Sequence, residues 1–551
     1  MKILILGGYG VFGGRLAWLL ADLPQVELLI CGRDLRRAQA ICLAYTEQAR
    51  VTPCAIDRAD MGEALRSERP DLVVDASGPF QDYGADRYHV VASCIDAGVD
   101  YLDFADAADF VSGISQLDPR ALAAGTFALS GVSAFPVLTA AVLREMSRDF
   151  TIEEVEGGIA PSPFARIGLN VMRAVIGYAG SPVKLSRGGR PAQGIGLAES
   201  RRMTIAVPGK LPLRNLRFSL VDVPDLRLIP REFPAITDIW MGAGPVPEIL
   251  HRMLNLLARS RTALRLPSLE PFAPLFYAVL NHMRFGEHRG GMFVRARGRA
   301  SGEPVERSWH LLAEGDDGPL IPSMAVEAIV RKMLAGERPE PGARAAVHAL
   351  ELSDYAAFFA NRRIFTGFRG EEGDGPLYPV ILGSAFATLP APLRQLHGSA
   401  KARTWRGHAE VRRGTGLVAR IVAALVGFPS PGERVPVSVH FTPEGDAERW
   451  ERHFGDSRFS SLQSRGTGRD SGLLVERFGP ASFALALVVE DGRLFLVPRS
   501  WRLFGIPMPR ALLPYGDSYE YERGSRFYFD VEVRLQMFGL VAAYRGSLEP
   551  D

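Results

Sequence analysis

Short apolar runs alternate with helical stretches along the first 140 residues of the chain. The apolar runs predict strands at residues 1–6, 26–31, 51–56, 71–76, 101–103 and 128–131. Helical spacing of apolar residues predicts helices at residues 15–23 and 88–97. Because strands that alternate with helices are typical of a parallel, doubly wound sheet, we predict an α/β domain at residues 1–140.

The pattern changes near Ile152, where strands and helices no longer alternate regularly. It predicts strands at residues 153–159, 203–207, 217–221, 291–297 and 309–312, and a helix at residues 169–178. A further helix, residues 322–334, is placed to pack back on the first domain. These elements predict a second α/β domain at residues 141–370.

Residues 247–257 and 271–283 form an apolar helical region in this middle third. The region contains Phe272, Leu275, Phe276, Tyr277, Val279 and Leu280. Apolar helices usually pack in a core or a dimer interface, which is one interpretation of the region. The other is a wall of an apolar substrate cavity or a face that contacts a membrane.

The last third, residues 376–551, shows alternating polar and apolar positions instead. The alternation predicts strands at residues 435–442, 483–489, 493–497, 526–535 and 539–544. Asp491-Gly492 separates two of these runs, which indicates a tight hairpin. With one short helix at residues 417–426, the pattern predicts a mainly antiparallel, strongly curved β domain. Such a sheet either fills itself or holds an apolar ligand.

The first predicted strand is followed directly by a glycine turn and then a helix. Gly8, Gly10 and Gly13 have the G-x-G-x-x-G spacing of a Rossmann dinucleotide-binding turn, in which Tyr9, Val11 and Phe12 fill the other positions. We expect Gly8 to take unusual backbone angles, Gly10 to admit a pyrophosphate, and Gly13 to let the helix approach the strand. The helix N-terminus then offers unpaired N–H groups to the phosphates.

Arg33 follows Gly13 by 20 residues, where a Rossmann fold places the residue that meets the adenosine ribose. Sites for NAD usually have an acidic residue there. A guanidinium instead suits the 2′-phosphate of NADP, which it can bind through two oxygens. The sequence therefore predicts NADP in preference to NAD, although the neighbouring Asp34 can act as the ribose-binding acid.

Several strand ends supply the remaining candidates. Asp57 is predicted to contact the adenine end, and Ser77, Gly78, Pro79 and Phe80 are predicted to lie near the nicotinamide. The candidate proton donors are Tyr101, Asp103, Asp106 and Ser133, of which we favour the first two. Neither a Tyr-x-x-x-Lys pair nor a Ser-His-Asp set is visible, so short-chain-dehydrogenase and hydrolase chemistry are unsupported.

Composition narrows the possible partners. A formal net charge of +2 gives no case for binding nucleic acid. The four cysteines, Cys31, Cys42, Cys54 and Cys94, are interpreted as buried thiols in a reducing compartment, and we predict a cytoplasmic protein. His440, Glu451, His453 and Asp456 fit no common metal spacing, so no metal is predicted.

No run is apolar enough for a membrane span, but one stretch is basic. Its residues are Arg394, Lys401, Arg403, Arg406, Arg412, Arg413 and Arg420. A solvated face is the expected role of this stretch, and peripheral attachment to an anionic membrane is the alternative.

Five segments of the chain resemble the saccharopine dehydrogenase-like NADP-binding family. They are Gly7 to Gly13, Cys31-Gly32-Arg33, Ser77 to Phe80, Cys94 to Asp103 and Ser130 to Pro136. The resemblance covers about residues 1–365. It implies a Rossmann domain followed by an α/β substrate domain that contributes to dimer contacts. It also implies that the glycine turn, Arg33 and the segment from Ser77 to Phe80 bind the cofactor.

The last third resembles DUF4166, a domain of unknown function found fused to such proteins. The matching segments are Gly427-Phe428-Pro429, residues 450–454, residues 476–480, residues 505–509 and Tyr544-Arg545-Gly546. This resemblance implies no chemistry of its own.

The resemblance implies an oxidoreductase that transfers hydride to or from a carbonyl, imine or enoyl group. The amino-acid-binding arginines of saccharopine-forming enzymes cannot be mapped onto this sequence, and the apolar middle helices suit an apolar, lipid-like substrate better. Two alternatives remain. One is an NADP-binding scaffold or sensor without turnover, with a last domain that binds lipid or protein; the other is amino-acid chemistry of the saccharopine type.

Overall fold

The computed structural model describes residues 1–45, 48–84, 86–165, 168–244, 248–282, 285–370 and 375–551. These residues form two compact units. Unit 1 contains residues 1–202 and 216–365, and unit 2 contains residues 203–215 and 366–551.

The first part of unit 1 alternates strands and helices, as predicted. Its strands are β1 (Lys2–Leu6), β2 (Glu27–Gly32), β3 (Arg50–Ala55), β4 (Leu72–Asp75), β5 (Asp100–Asp103) and β6 (Phe127–Ser130). Its helices are α1 (Val11–Leu20), α2 (Leu35–Cys42), α3 (Met61–Glu68), α4 (His89–Asp96), α5 (Ala108–Gly113), α6 (Asp118–Ala124) and α7 (Thr139–Met146). Helix α1 begins four residues before its predicted start at residue 15, because the glycine turn leads directly into it.

The middle of the chain adds further strands, most of which are as long as or longer than those of the first part. They are β7 (Thr151–Ala160), β8 (Pro182–Arg187), β9 (Arg190–Ile195), β10 (Ser200–Ile205), β11 (Leu213–Leu220), β12 (Asp238–Ala243), β13 (Arg289–Ala300), β14 (Glu303–Glu314), β15 (Gly342–Ala345) and β16 (Ile364–Arg369). The helices are α8 (Leu169–Gly177), α9 (Asp225–Glu232), α10 (Glu248–Leu264), α11 (Ala273–His282), α12 (Ile321–Leu334) and α13 (Leu352–Ala360). The predicted helix ends at Pro247 and Met283 lie outside the described residues.

The sheet that positions the candidate site is seven-stranded, in the order β15-β6-β5-β4-β1-β2-β3. All of its pairs are parallel, which confirms the predicted doubly wound α/β fold. Parallel strands that are buried on both faces consist of nearly continuous hydrophobic runs. Residues 3–6 and 28–31 are such runs, and all of them are buried. Helix α12 lies against α1, and Ser323 Oγ donates to the Phe12 carbonyl at 3.3 Å.

A second sheet in unit 1 has β12, β7, β13 and β14 at its centre. One face of this sheet is charged. Arg295 pairs with Glu156, and Arg297 pairs with Glu154 of the neighbouring strand. The arginines of this face are thus neutralised by cross-strand partners.

Unit 2 contains α14 (Leu377–Leu382), α15 (Ala391–His397) and α16 (Leu417–Val426). Its strands are β17 (Arg403–Arg413), β18 (Gly432–Glu444), β19 (Ala447–Phe454), β20 (Ser457–Arg465), β21 (Leu474–Phe478), β22 (Ala481–Glu490), β23 (Arg493–Leu503), β24 (Ile506–Pro507), β25 (Ser518–Arg523), β26 (Arg526–Leu535) and β27 (Gly539–Pro550). The helix predicted at residues 417–426 is confirmed as α16, whereas α14 and α15 were not predicted, because they are too short to show a helical period.

The strands of unit 2 close into an antiparallel barrel. The order is β22-β21-β20-β19-β18-β17-β27-β26-β25-β23, and β23 pairs with β22 to complete the ring. The predicted antiparallel, curved sheet is confirmed. Asp491 and Gly492 both have positive φ, at 47° and 72°, as a two-residue hairpin turn of type I′ requires.

Candidate nucleotide-binding and active site

The glycine turn is held to the second strand by backbone hydrogen bonds. Gly7 N and Gly8 N both donate to the Cys31 carbonyl, at 2.9 and 3.0 Å. The positive φ falls on Gly7, at 76°, one residue before the predicted position at Gly8. Gly8 is required for a different reason, because a Cβ there would lie 2.9 Å from the Ile5 carbonyl oxygen.

Close approach of helix α1 to the turn depends on Gly13. A Cβ on Gly13 would lie 2.5 Å from the Gly7 carbonyl oxygen, whereas one on Gly14 would be 3.6 Å from its nearest neighbour. Gly10 is the N-cap of α1, and in the described part of the chain no side chain caps this helix. The N–H groups of the first turn therefore remain available for an anion such as a pyrophosphate.

Tyr9 connects the glycine turn to the end of β2 through its side chain. A Cβ on Gly32 would collide with the Tyr9 ring, so this glycine makes room for the aromatic side chain. The Tyr9 hydroxyl accepts the N–H of Asp34 at 3.2 Å, and the Arg37 guanidinium lies 4.8 Å from the ring centroid. Because the Tyr9 side chain is engaged in these contacts, the predicted contact of Tyr9 with the cofactor would involve its backbone.

Arg33 and Asp34 have different environments. The Asp34 carboxylate caps α2 by accepting the N–H of Arg37 at 3.2 Å. Arg33 is exposed, and no acidic side chain in the described ranges pairs with it. Arg36 and Arg37 are exposed on the first turn of α2, and sequence reasoning missed both.

Asp57 lies two residues after the end of β3. Its carboxylate is exposed and accepts the N–H of Ala59 at 3.0 Å, which starts a short 3-10 turn. Its contact with adenine stays a prediction.

The loop after β4 is fixed by a buried carboxylate. Asp75 has no exposed surface, and it accepts the Ser77 N–H at 2.9 Å and the Ser77 hydroxyl at 2.6 Å. Burial raises the pKa of Asp75. The Gly78 carbonyl accepts the Asn170 amide at 2.5 Å, so the start of α8 lies over this loop.

Phe80 and Pro79 complete the loop. Phe80 is buried, and its ring lies 4.8 Å from Tyr83 and 5.1 Å from Phe110, measured between centroids. Pro79 is half-buried. The Phe80 side chain is a core group, so any nicotinamide contact of this residue must involve its backbone.

Tyr101 and Asp103, the favoured proton donors, are both fully buried. Asp103 Oδ1 accepts the Ala105 N–H at 2.9 Å, the Ser130 hydroxyl at 3.0 Å and the Gly131 N–H at 2.7 Å. Burial raises the pKa of Asp103 to about 7 and that of Tyr101 well above its ordinary value. These contacts fix the loops after β5 and β6, and the catalytic roles stay predictions.

A second group of titratable residues lies nearer to the solvent. Asp106 is exposed and accepts the Gln81 amide at 3.1 Å. Burial, together with the carboxylates of Asp106 and Asp222, raises the pKa of Tyr178. Ser133 is half-buried beside Gly131, whose carbonyl accepts its N–H at 2.9 Å. Sequence reasoning missed Tyr178 and Asp222, which come from separate elements and share no motif.

The cysteines differ from the prediction of buried thiols. Cys31 and Cys94 are buried, but Cys42 and Cys54 are partly exposed. Within the described ranges, no group of three or more His, Cys, Asp and Glu side chains is arranged to hold a metal ion. None of the described helices combines the length and hydropathy needed to cross a bilayer.

The interior of the unit 2 barrel contains paired polar side chains. Glu476 Oε1 accepts hydrogen bonds from Arg452 at 3.0 Å, Ser461 at 2.6 Å and Gln463 at 3.1 Å. His397, at the end of α15, contacts Glu520 at 2.5 Å. Aromatic side chains and the two short helices α14 and α15 join the same core. The barrel therefore fills its interior with its own groups, one of the two predicted outcomes.

Part of the predicted basic stretch is ion-paired. Arg403 pairs with Glu448, Arg406 with Asp551 and Arg412 with Glu410. The Arg406 and Arg412 pairs are exposed, in agreement with the predicted solvated face, whereas the Arg403 pair is buried in the barrel.

Family models match both ends of the chain. Residues 3–129 match the saccharopine dehydrogenase NADP binding domain. Residues 389–548 match DUF4166, a domain of unknown function. Comparison with curated proteins gives no match.

Several solved structures are similar over most of their own length. Saccharopine dehydrogenase (L-Glu forming) from Saccharomyces cerevisiae has 13% identity and a TM-score of 0.46, over 67% of this chain and 99% of that one. Amine dehydrogenase from Mycobacterium smegmatis has 12% identity and a TM-score of 0.33, over 62% and 94%. The WlbA dehydrogenase from Thermus thermophilus, in complex with NAD and α-ketoglutarate, has 11% identity and a TM-score of 0.29, over 62% and 90%.

The matched N-terminal residues contain the glycine turn and Arg33, the groups that the sequence predicts to bind the nucleotide. The match supplies the class of reaction, because a nicotinamide dinucleotide serves hydride transfer. The chain therefore joins a saccharopine dehydrogenase NADP-binding domain to a DUF4166 domain, and it is an NAD(P)-dependent oxidoreductase.

Proposed function

We propose that the protein uses NADP to transfer hydride to or from a carbonyl, imine or enoyl group of an apolar substrate. The observation that carries the cofactor preference is the division of roles at the end of β2. Asp34 is engaged as the cap of α2, whereas Arg33 is exposed beside it. A guanidinium can bind a 2′-phosphate through two oxygens, and Arg36 and Arg37 add positive charge nearby.

The cofactor preference is tested by titrating NADP and NAD into the wild type and Arg33→Ala. We expect the substitution to weaken NADP binding roughly tenfold or more, about 1.4 kcal/mol, and to leave NAD binding unchanged. Arg66→Ala, an exposed arginine on α3, is the matched control. Equal affinity of the wild type for NADP and NAD would contradict the proposal.

When bound, NADP supplies the hydride, and the protein must orient the substrate, exclude water and handle one proton. We propose that Asp103 positions the loops after β5 and β6, since its acceptor oxygen is occupied by three donors. We propose that Asp106 and Tyr178 hold the proton that accompanies hydride transfer. Both residues are more exposed than Tyr101, and they interact electrostatically with each other. A larger loss of kcat in Tyr178→Phe than in Tyr101→Phe would support this assignment.

The apolar substrate is argued from helices α10 and α11. Helix α10 buries polar side chains: His251 Nε2 lies 2.8 Å from Ser219 Oγ, and Asn255 donates to the same oxygen at 2.8 Å. The two helices and their flanks expose large apolar residues instead. We call these the outward apolar surface: Ile249, Met253, Leu256, Leu257, Leu264, Leu266, Phe272, Leu275 and Tyr277. These nine residues are exposed, whereas Phe276 packs against a buried cluster of the same chain, so the predicted core or dimer interface stays one interpretation of the region.

Such a surface marks contact with an apolar partner. Arg259 and Arg265 are exposed along the same helix and at its end, whereas Arg252 is paired with Glu248. The partner that fits two such cations beside an apolar surface is an anionic lipid surface. We propose that the enzyme docks there peripherally and takes a lipid-like substrate from it. A cytoplasmic location, as predicted from the sequence, agrees with this proposal.

Vesicle sedimentation tests the docking. We expect the wild type to sediment with phosphatidylglycerol vesicles more than with phosphatidylcholine vesicles, and Leu256→Asp to sediment far less. Leu122→Asp, on α6, changes an exposed leucine outside the surface and is the control. A wild-type dimer that Leu256→Asp converts to a monomer would instead identify the surface as a dimer interface.

The alternatives from the sequence have less support. Amino-acid substrates need cations that bind carboxylates, but Arg295 and Arg297 of the middle sheet are paired with glutamates. A scaffold without turnover predicts that NADPH is never oxidised. Incubating the enzyme and NADPH with lipid extracts, and following absorbance and product mass, distinguishes a reductase from a scaffold.

A further inference from the structure

Two cysteines face each other beneath the adenosine end of the nucleotide site. Cys31 on β2 and Cys54 on β3 are register partners of neighbouring parallel strands. Their side chains lie on the same face of the sheet and pack in the same cluster. Neighbouring strands are about 4.8 Å apart, which lies within the Cα separation that a disulfide spans.

The two thiols differ in exposure. Cys31 is fully buried, whereas Cys54 is partly exposed near the edge of the sheet. Interaction with the neighbouring Cys31 thiol lowers the pKa of Cys54, which favours its thiolate at neutral pH. Burial raises the pKa of Cys94, which keeps that cysteine unreactive. An accessible, ionised thiol beside a second thiol is the arrangement of a redox-sensitive pair.

The position of Cys31 connects the pair to the cofactor. Its carbonyl accepts the N–H groups of both Gly7 and Gly8, and it directly precedes Gly32 and Arg33. A displacement of Cys31 is therefore transmitted to the turn that binds pyrophosphate and to the residue proposed to bind the 2′-phosphate.

We propose that Cys31 and Cys54 form a reversible disulfide under peroxide and that this disulfide weakens NADP binding. The Cys54 thiolate attacks hydrogen peroxide, so that an S–O bond forms, the O–O bond breaks and hydroxide leaves. The Cys31 sulfur then attacks the Cys54 sulfur. The S–S bond forms, the S–O bond breaks, and the departing hydroxyl leaves as water with the proton of Cys31. The released hydroxide takes up the proton that Cys54 lost on ionising, so two thiols are oxidised and one peroxide is reduced to two waters.

The effect on binding follows from the geometry. A disulfide holds its Cβ atoms about 3.5–4.5 Å apart, closer than register partners on neighbouring strands usually are. Closing the bond therefore draws the end of β2 towards β3 and moves the Cys31 carbonyl. This consequence rests on the proposed NADP function, whereas the disulfide itself does not.

The experiment treats the purified chain with hydrogen peroxide, blocks the remaining free thiols and maps linked peptides by mass spectrometry. We expect a peptide that joins Cys31 to Cys54, and no such species in Cys54→Ser. We also expect oxidation to weaken NADP binding of the wild type roughly tenfold, with recovery after dithiothreitol. Cys94→Ser is the control and should respond as the wild type does.

Each part can fail separately. Absence of the Cys31–Cys54 peptide, or a link to Cys42 instead, would overturn the pairing, whether or not the protein binds NADP. A mapped disulfide with unchanged NADP affinity would overturn the regulatory part. If Cys54→Ser folds poorly, Cys54→Ala and the peroxide-treated wild type provide the same comparison.

Discussion

Buried carboxylates at two strand ends of unit 1 are held differently from those inside the barrel of unit 2. In unit 1, Asp75 and Asp103 stand at the ends of parallel strands and accept hydrogen bonds from neutral donors in the loops that follow. In unit 2, Glu448 and Glu476 lie inside a closed barrel and pair with Arg403 and Arg452. The first arrangement shapes loops at an open sheet edge, whereas the second fills an interior.

This difference separates a ligand-binding design from a structural one. A parallel sheet binds ligands beyond the carboxyl ends of its strands, so the loops there must be held in place. Neutral donors achieve this without adding charge at the site. A closed antiparallel ring has no such edge, and its buried charges must be matched to avoid a large desolvation cost. The nucleotide chemistry is therefore expected from unit 1 alone.

The largest expected effect comes from removing one partner of a buried pair in unit 2. Arg452→Met leaves the Glu476 carboxylate buried without its cation, and we expect a loss of about 3–5 kcal/mol in the free energy of unfolding of unit 2. Chemical denaturation followed by tryptophan fluorescence measures this loss. NADP affinity should not change.

Arg449→Met is the control for this substitution, since its pair with Glu444 is solvent-exposed, and it should unfold much as the wild type does. An equally stable Arg452→Met would show that the barrel interior does not depend on charge pairing, and the comparison between the units would then fail.

The next effect is a pH dependence in unit 1. The pKa of Asp103 is about 7 in the folded state, whereas the ordinary pKa of an aspartate, 3.8, applies to the unfolded state. Between these values the folded state holds a proton that the unfolded state has lost, so unfolding free energy falls as pH rises from about 4 to 7. The loss from this group reaches up to about 4 kcal/mol. Below about pH 4 the carboxyl is protonated in both states, so this loss of unfolding free energy is absent.

Asp103→Asn tests this dependence, because its amide oxygen can still accept the three hydrogen bonds and cannot ionise. Thermal unfolding across pH 4–7 should show a shallower slope than in the wild type. Asp96→Asn, at the exposed end of α4, should keep the wild-type slope. Identical slopes in all three proteins would exclude Asp103 as a buried titrating group.

Features set by local backbone chemistry were predictable from the sequence. The glycine turn and the Asp491-Gly492 hairpin depend on residues that tolerate positive φ or close approach, and both occur where predicted. The barrel was predicted only as a curved sheet, because closure depends on the pairing of β22 with β23 around the whole ring.

Features set by tertiary partners were not predictable. The sequence predicts an apolar helical region at residues 247–257, but not that His251 and Asn255 of α10 face inwards. The hydrogen-bonding role of Asp103 depends on Gly131, 28 residues away, which no local motif reveals. The electrostatic interaction of Tyr178 with Asp222 likewise arises only through the fold.

A smaller effect is expected from a substitution in the glycine turn, where the crowded atoms belong to the backbone. Gly13→Ala places a Cβ 2.5 Å from the Gly7 carbonyl oxygen, so α1 must move away from the turn. We expect NADP binding to weaken roughly a hundredfold, about 2.7 kcal/mol, by calorimetry. Gly14→Ala, whose Cβ would have 3.6 Å of space, should bind as the wild type does. Equal weakening in both would indicate general damage to α1.

The smallest expected effect concerns Asp34 at the edge of the open site. Asp34→Ala removes the cap of α2, which should cost about 1 kcal/mol of stability. Asp34→Ser keeps a capping oxygen and should recover most of that loss. Because Arg33 rather than Asp34 is proposed to meet the ribose end, the ratio of NADP to NAD affinity should stay constant in both variants. A selective loss of NAD binding in Asp34→Ala and Asp34→Ser would assign the ribose to Asp34 and transfer the specificity from the guanidinium to the carboxylate.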